Sequence, residues 1–146
     1  MASETVAVIN SDAETIAMLS VALELEGLSV TAAFTHDLRD GSIDIGSFMR
    51  AHDPSVVLYD VAAPYDMNWA LFERLRAHPD MGNRPVVLTS TDAAGVEQLA
   101  ARDPGVIGIA SKPFDLDVVM TAMKGALRTP FRDLPPLGHR PAWRPA

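Results

Sequence analysis

The 146-residue sequence contains no cysteine, and this absence excludes several kinds of site at once. Without thiolates the chain forms no disulfide, no iron–sulfur cluster and no zinc site built on cysteine, and it has no cysteine nucleophile. Its four histidines show no spacing typical of a metal site. The sequence therefore predicts a protein whose chemistry does not depend on sulfur or on a transition metal.

Positive charge is in the minority, with 12 Lys and Arg against 19 Asp and Glu and a formal net charge of −7. A body of that sign repels phosphate groups, so nucleic acid and anionic membranes are not expected partners. Long hydrophobic runs are absent as well, and the first residues carry no basic segment followed by an apolar one. We therefore expect no membrane span, no secretory signal and a cytoplasmic location.

Apolar residues make up 48% of the chain, which is enough for the core of one domain. Their spacing alternates between short runs typical of strands and longer stretches with helical periodicity. Most of the short runs are continuous Val, Ile and Leu, as expected for strands covered on both faces of a parallel sheet. Strands are predicted at 5–10, 28–33, 55–60, 85–89 and 106–110, and helices at 12–26, 43–51, 68–77, 93–101 and 115–128.

Five strands alternating with five helices predict a doubly wound α/β fold, in which helices cover both faces of a parallel sheet. This domain is predicted to span 1–128. The remaining segment, 129–146, holds five prolines and three arginines against a single acid, and we predict an extended or disordered tail. Phe131 and Trp143 give the tail two aromatic side chains with which it could contact a partner, and the basic tail could also bind to the acidic body of the protein itself.

Polar side chains follow the first, third, fourth and fifth predicted strands, at the point where each strand ends. They are Asn10, Ser11, Asp60, Thr89, Ser90 and Lys112. Because the carboxyl ends of parallel strands meet at one edge of the sheet, where ligands bind in such folds, we expect these side chains to lie close together. The sequence therefore predicts a site that combines an acid, hydroxyls and a lysine.

The chain resembles a response-regulator receiver domain, the flavodoxin-like (βα)5 module of two-component signalling, over about 5–128. The resemblance is carried by VVLYD ending at Asp60, by Pro64 four residues later, by RPVVLTS at the fourth strand and by SKPF around Lys112. It implies that Asp60 accepts a phosphoryl group from a histidine kinase or phosphotransfer protein. It also implies that Lys112 contacts the phosphoryl oxygens.

The resemblance assigns a hydroxyl at the end of the fourth strand to the phosphoryl group, and both Ser90 and Thr89 are candidates. The proline spacing favours Ser90, which lies five residues after Pro85. Three residues before Lys112, where many receivers carry an aromatic side chain that reports phosphorylation, this chain has Ile109.

The loop after the first strand departs from the family pattern. Receivers carry an acidic pair there that holds Mg²⁺, and the aligned residues are Asn10 and Ser11. A hard cation favours carboxylate oxygens, so no cofactor is expected beyond weak Mg²⁺ binding by Asp60 and Asp12. The sequence Ser11-x-x-Glu14 is typical of a capping box. It predicts Ser11 as the N-cap of the first helix and Asp12 as a first-turn acid rather than a substitute ligand.

These departures lead to the hypothesis that Asp60 and Lys112 form a constitutive, metal-free ion pair that fixes one conformation. We therefore expect an atypical stand-alone receiver that is not an enzyme and acts by contact with signalling proteins, with 93–128 as a possible homodimer surface. One alternative is a working phospho-receiver that uses Asp60 and receives its phosphoryl group from a histidine kinase. Another is a flavin- or nucleotide-binding protein, which the glycine-free loop after the first strand disfavours.

Overall fold

In a computed structural model of the chain, residues 4–111 and 116–128 are described. They form one sheet of five parallel strands in the order β2-β1-β3-β4-β5, which is the flavodoxin-like order, so the predicted fold class is confirmed. The strands are β1 (Thr5–Asn10), β2 (Ser29–Phe34), β3 (Val56–Asp60), β4 (Val86–Ser90) and β5 (Val106–Ser111). The helices are α1 (Ala13–Leu25), α2 (Thr35–Asp40), α3 (Ile45–His52), α4 (Tyr65–Arg76), α5 (Pro79–Gly82), α6 (Ala93–Ala100) and α7 (Leu116–Leu127).

The helix count differs from the prediction, since the described residues contain seven helical segments where five were predicted. The two additional segments are short. Helix α2 spans six residues and ends at Gly41, whose backbone is left-handed (φ 84°), and α5 is a single turn that begins with Pro79. Segments of one or two turns are too short to show a helical period, so the apolar pattern of the sequence did not predict them. The predicted tail, 129–146, lies outside the described residues.

The core has two layers because successive side chains of each strand point to opposite faces of the sheet. Leu58 of β3 packs on one face with side chains of α1 and α7, among them Leu23 and Met123. Tyr59, the next residue, packs on the other face against Phe72 of α4, with ring centroids 4.8 Å apart. The sheet is therefore covered on both faces, as its continuous apolar strands predict.

Tyr59 places a phenol in the apolar core, and its hydroxyl is buried without a hydrogen-bond partner among the described residues. A buried polar group without a partner is destabilising by about 1–3 kcal/mol. We therefore expect Tyr59→Phe to raise the free energy of unfolding at pH 7 by about 1 kcal/mol, measured by urea denaturation. Tyr65→Phe is the matched control, because the Tyr65 hydroxyl is hydrogen-bonded to Thr91 and its removal brings no gain.

The burial of Tyr59 also predicts how the free energy of unfolding depends on pH in alkaline solution. Burial raises the pKa of Tyr59 well above its ordinary value of 10.0. Above pH 10 the unfolded chain loses this proton while the native protein keeps it, so stability falls as pH rises, by up to about 1.4 kcal/mol per pH unit. In Tyr59→Phe, the free energy of unfolding is expected to decrease less steeply above pH 10, because the contribution of Tyr59 is absent. Equal slopes for both proteins between pH 10 and 11 would contradict the assignment.

Candidate functional site

Three polar residues form a row across the carboxyl ends of the central strands. Ile9 pairs with Tyr59 in the parallel register of β1 and β3, so Asn10 and Asp60 follow side by side, and Asp60 pairs with Thr89 of β4. All three are almost fully buried, with exposures of 2%, 4% and 1%. The structure therefore brings together three of the predicted site residues: the acid Asp60, the hydroxyl of Thr89, and Asn10, which stands where the family has an acid.

The hydroxyl that contacts Asp60 is that of Thr89, which donates a 2.6 Å hydrogen bond to Oδ1 of the carboxylate. Ser90, which the proline spacing favoured, donates instead to the backbone carbonyl of Val61 at 2.8 Å. The register explains the difference, because paired residues point to the same face of a sheet and the next residue points to the other. Whether either hydroxyl contacts a phosphoryl group stays a prediction.

The bond between Thr89 and Asp60 predicts a specific loss of stability. Thr89→Val keeps the shape of the side chain but leaves the buried carboxylate without this donor, and hydrogen bonds to charged groups contribute about 1.5–3 kcal/mol. We expect the free energy of unfolding to fall by about that amount in urea denaturation. Thr89→Ser, which keeps the hydroxyl, should lose clearly less, and equal losses in the two variants would show that packing rather than the hydrogen bond matters.

The loop after β1 uses its polar side chains to begin α1. Oδ1 of Asn10 accepts the backbone N–H of Asp12 at 3.0 Å, and the Asp12 carboxylate accepts from the Thr15 backbone N–H at 3.2 Å and from its hydroxyl at 2.5 Å. Asp12 is thus the N-cap, and the prediction of Ser11 as the N-cap was wrong. The Asn10 contact spans Ser11, where the chain bends, and α1 begins at Ala13, one residue later than predicted.

A small cavity of about 160 Å³ opens beside Asp60, and the residues that line it include two that sequence reasoning missed. These are His36 and Arg39, both on the short helix α2. Arg39 donates to the side-chain oxygen of Asn68, whose amide group donates to the carbonyl of Ala62 at 2.8 Å. The lining therefore carries a guanidinium near the acid. The sequence of α2 shows no helical period. The presence of His36 and Arg39 after the second strand was the one signal in the sequence that could have indicated their role in the pocket.

The donor set of this pocket does not fit the Mg²⁺ site that the fold family implies. Mg²⁺ requires several oxygen ligands, preferably carboxylates. Asp60 is the only carboxylate in the buried row, Asn10 and Asp12 hold the start of α1, and Arg39 adds a positive charge to the lining. Within the described residues no three His, Asp or Glu side chains are placed to hold a metal ion.

The remaining predicted positions are only partly within the described structure. Ile109 is half-buried and packs against the core layer that contains Tyr59. Lys112 lies outside the described residues, so its ion pair with Asp60 stays a prediction, and so does any contact of Lys112 with a phosphoryl group.

Comparison with known proteins places this geometry in a family. No family model matches the sequence. Among solved structures, the chemotaxis protein CheY4 of Vibrio cholerae has a TM-score of 0.67 at 18% identity, covering 86% of this chain and 99% of that one. Protein Rrf1 of Nitratidesulfovibrio vulgaris is 30% identical over 115 residues, covering 79% of this chain and 80% of that protein. The chain belongs to the response-regulator receiver family.

Two further matches differ in how much of the other protein this chain covers. A putative response regulator from Chloroflexus aurantiacus matches with a TM-score of 0.67 and 21% identity, over 88% of this chain and all of that one. The transcriptional regulatory protein CseB of Streptomyces coelicolor is 32% identical over 108 residues, which are 74% of this chain but 42% of that protein. This receiver thus spans less than half of that relative and most of Rrf1. Receivers of this kind act in two-component signalling through protein partners such as kinases.

None of the described helices is long and apolar enough to cross a membrane.

Proposed function

We propose that this receiver signals by protein–protein contact and that its pocket does not support efficient Mg²⁺-dependent phosphorylation of Asp60. The observation that carries the proposal is the use of the loop after β1. Where a receiver presents two metal-binding acids, this chain has an amide oxygen bonded to a backbone N–H and an exposed serine. The nearest other acid, Asp12, caps a helix.

The chemistry explains why these changes matter. Phosphoryl transfer gathers negative charge on the transferred group, and catalysis consists mainly of positioning that group and compensating its charge. A chain that holds Mg²⁺ weakly lacks most of this compensation. Asp60, bonded to Thr89 and paired in our proposal with Lys112, then holds one conformation instead of switching between two. On this proposal the protein is not an enzyme, requires no cofactor and is a cytoplasmic binding module.

The alternative, a working phospho-receiver, has one observation in its favour. The cavity beside Asp60 is large enough for a phosphoryl group, and Arg39 in its lining supplies positive charge. Thr35 also lines this cavity, and its hydroxyl is buried without a hydrogen-bond partner among the described residues. These groups could bind phosphoryl oxygens without a metal.

Intact-mass measurement after incubation with acetyl phosphate, with and without Mg²⁺, separates the two proposals. We expect no phosphoryl adduct on the wild-type protein in either condition, with its fold verified by circular dichroism. A Mg²⁺-dependent adduct that is missing in Asp60→Asn would overturn our proposal. An adduct that forms equally well without Mg²⁺, and disappears in both Asp60→Asn and Arg39→Gln, would establish the metal-free alternative.

The surface that we propose for protein partners, or for a second copy of the chain, is 93–128, which includes α6, β5 and α7. Two of its apolar side chains are strongly exposed, Leu99 at 40% and Val118 at 53%. Exposed apolar groups of this size are typical of contact surfaces when they occur together with a polar rim.

A further inference from the structure

A groove runs between α4 and α6 on the face of the sheet that carries Tyr59. Its main cavity measures about 480 Å³ and is lined by Glu73, Leu99 and Arg102, with the buried side chains of Trp69 and Phe72 beneath them. A second cavity, of about 360 Å³, shares Gln98 and Leu99 with the first and extends to Pro64 and Tyr65. The two cavities adjoin at Gln98 and Leu99 and follow both helices, and we call them together the α4–α6 groove.

The direction of the helices fixes where this groove begins and ends. Helices α4 and α6 follow β3 and β4, so both run from the carboxyl edge of the sheet to its amino edge. Arg102 and Asp103 mark the end of the groove at the amino edge, and Tyr65 marks the end near Asp60. Helix α7 follows β5 in the same way, so its last residue, Leu127, also lies at the amino edge. Arg128, the last described residue before 129–146, therefore lies near the amino-edge end of the groove.

The segment is long enough to enter the groove. In an extended polyproline conformation, at about 3.1 Å per residue, residues 129–146 span roughly 56 Å. Passing from the layer of α7 to the opposite helix layer takes about 20 Å, because each layer packs about 10 Å from the sheet. The groove follows α4, whose 12 residues are about 18 Å long at 1.5 Å per residue. The second half of the segment can therefore lie along the whole groove.

The chemistry of the two surfaces is complementary. The segment has three arginines and one acid, five prolines, and the aromatic residues Phe131 and Trp143. The groove has Glu73 and Arg102, of opposite charge, in its main cavity, while Arg76 and Asp103 neutralise each other. The excess of negative charge therefore lies at its far end, where Asp66 and Asp92 line the second cavity. Proline-rich extended chains lose little conformational entropy on binding, and half-buried Tyr65 gives the groove an aromatic side chain on which prolines can pack.

We infer that residues 129–146 bind back into the α4–α6 groove of the same molecule as an extended segment, with their arginines toward the acids at its rim. A bound segment covers Leu99 and the exposed side of α6. It therefore competes with any partner that binds the 93–128 surface, and release of the segment exposes that surface. The inference does not depend on phosphorylation of Asp60.

The absence of cysteine allows a direct test in the full chain. Ala142→Cys, labelled with a nitroxide, places one spin label beside Trp143. We expect paramagnetic broadening of amide signals in α6 and in the first turn of α4, and none in α1 or β2, independent of protein concentration. Broadening that grows with concentration would show that a second copy is the occupant. Absence of broadening in the groove would show that the segment does not bind there, and either result would overturn the inference.

Two variants of the labelled chain test the role of charge. Replacing Arg132, Arg140 and Arg144 together by glutamate should reduce the broadening by at least about tenfold. The matched replacement by lysine, which keeps the charge, should retain most of it. Equal broadening in both variants would rule out arginine–acid contacts as the basis of binding. Because these substitutions lie outside the core, far-UV circular dichroism of all three proteins should be unchanged.

Discussion

Replacing both Asn10 and Ser11 by aspartate is expected to convert this receiver into one that takes up a phosphoryl group in the presence of Mg²⁺. Two carboxylates beside Asp60 restore the oxygen ligands that a hard cation needs. At about 4 Å and an effective dielectric constant near 20, each charge contact with the ion is of the order of several kcal/mol before desolvation is subtracted. We expect a Mg²⁺-dependent adduct after acetyl phosphate treatment that is at least about tenfold above the detection limit, whereas the wild-type protein forms none.

The same variant has a second, independent measure. Without Mg²⁺, three carboxylates lie together where one lies now, and their repulsion should lower the melting temperature below that of the wild type. Mg²⁺ should then raise the melting temperature of the variant but not of the wild type, because an ion that binds only the native state stabilises it. The triple variant with Asp60→Asn is the control and should form no adduct. If Mg²⁺ stabilises the double variant and no adduct forms, metal loss is not what limits phosphorylation.

The strands and the polar row were predictable because both depend on patterns that the sequence carries locally. Each strand end lies within one residue of its predicted position, since a doubly covered strand is a continuous apolar run bounded by polar residues. The position of Asp60 beside β4 followed from the rule that parallel strands end at the same edge. No contact had to be known in advance for either prediction.

The details of the site depend on contacts between distant parts of the chain, and these the sequence did not reveal. Whether Thr89 or Ser90 meets Asp60 is decided by the register between β3 and β4, which the distance from Pro85 does not encode. Arg39 reaches the pocket because a six-residue helix without a visible period follows β2. The N-cap of α1 is Asp12 rather than the predicted Ser11, because the Asp12 carboxylate accepts the backbone N–H of Thr15.

The amino edge of the sheet, opposite the site, is held together by a buried arginine that pairs with one acid among the described residues. Arg76 is 3% exposed, and its Nε and Nη2 donate to the two carboxylate oxygens of Asp103 at 2.7 Å and 2.8 Å. Its Nη1 donates to the carbonyl oxygens of Met81 and Arg84, at 2.6 Å and 2.8 Å. One guanidinium thereby joins the end of α4, the α5 turn and the segment before β5.

Asp103→Asn is expected to lower the free energy of unfolding by about 3 kcal/mol or more, because removal of one partner of a buried pair leaves an uncompensated charge. The amide keeps one oxygen to accept the Gly105 N–H, now bonded to Oδ1 at 3.0 Å, but its NH2 replaces the oxygen that accepts from Nε of Arg76, so the change removes the charge and one acceptor. Urea denaturation measures the loss. Glu26→Gln is the matched control, since its pair with Lys124 is exposed and should contribute less than about 1 kcal/mol. Equal losses in the two variants would show that the buried pair does not hold this edge together.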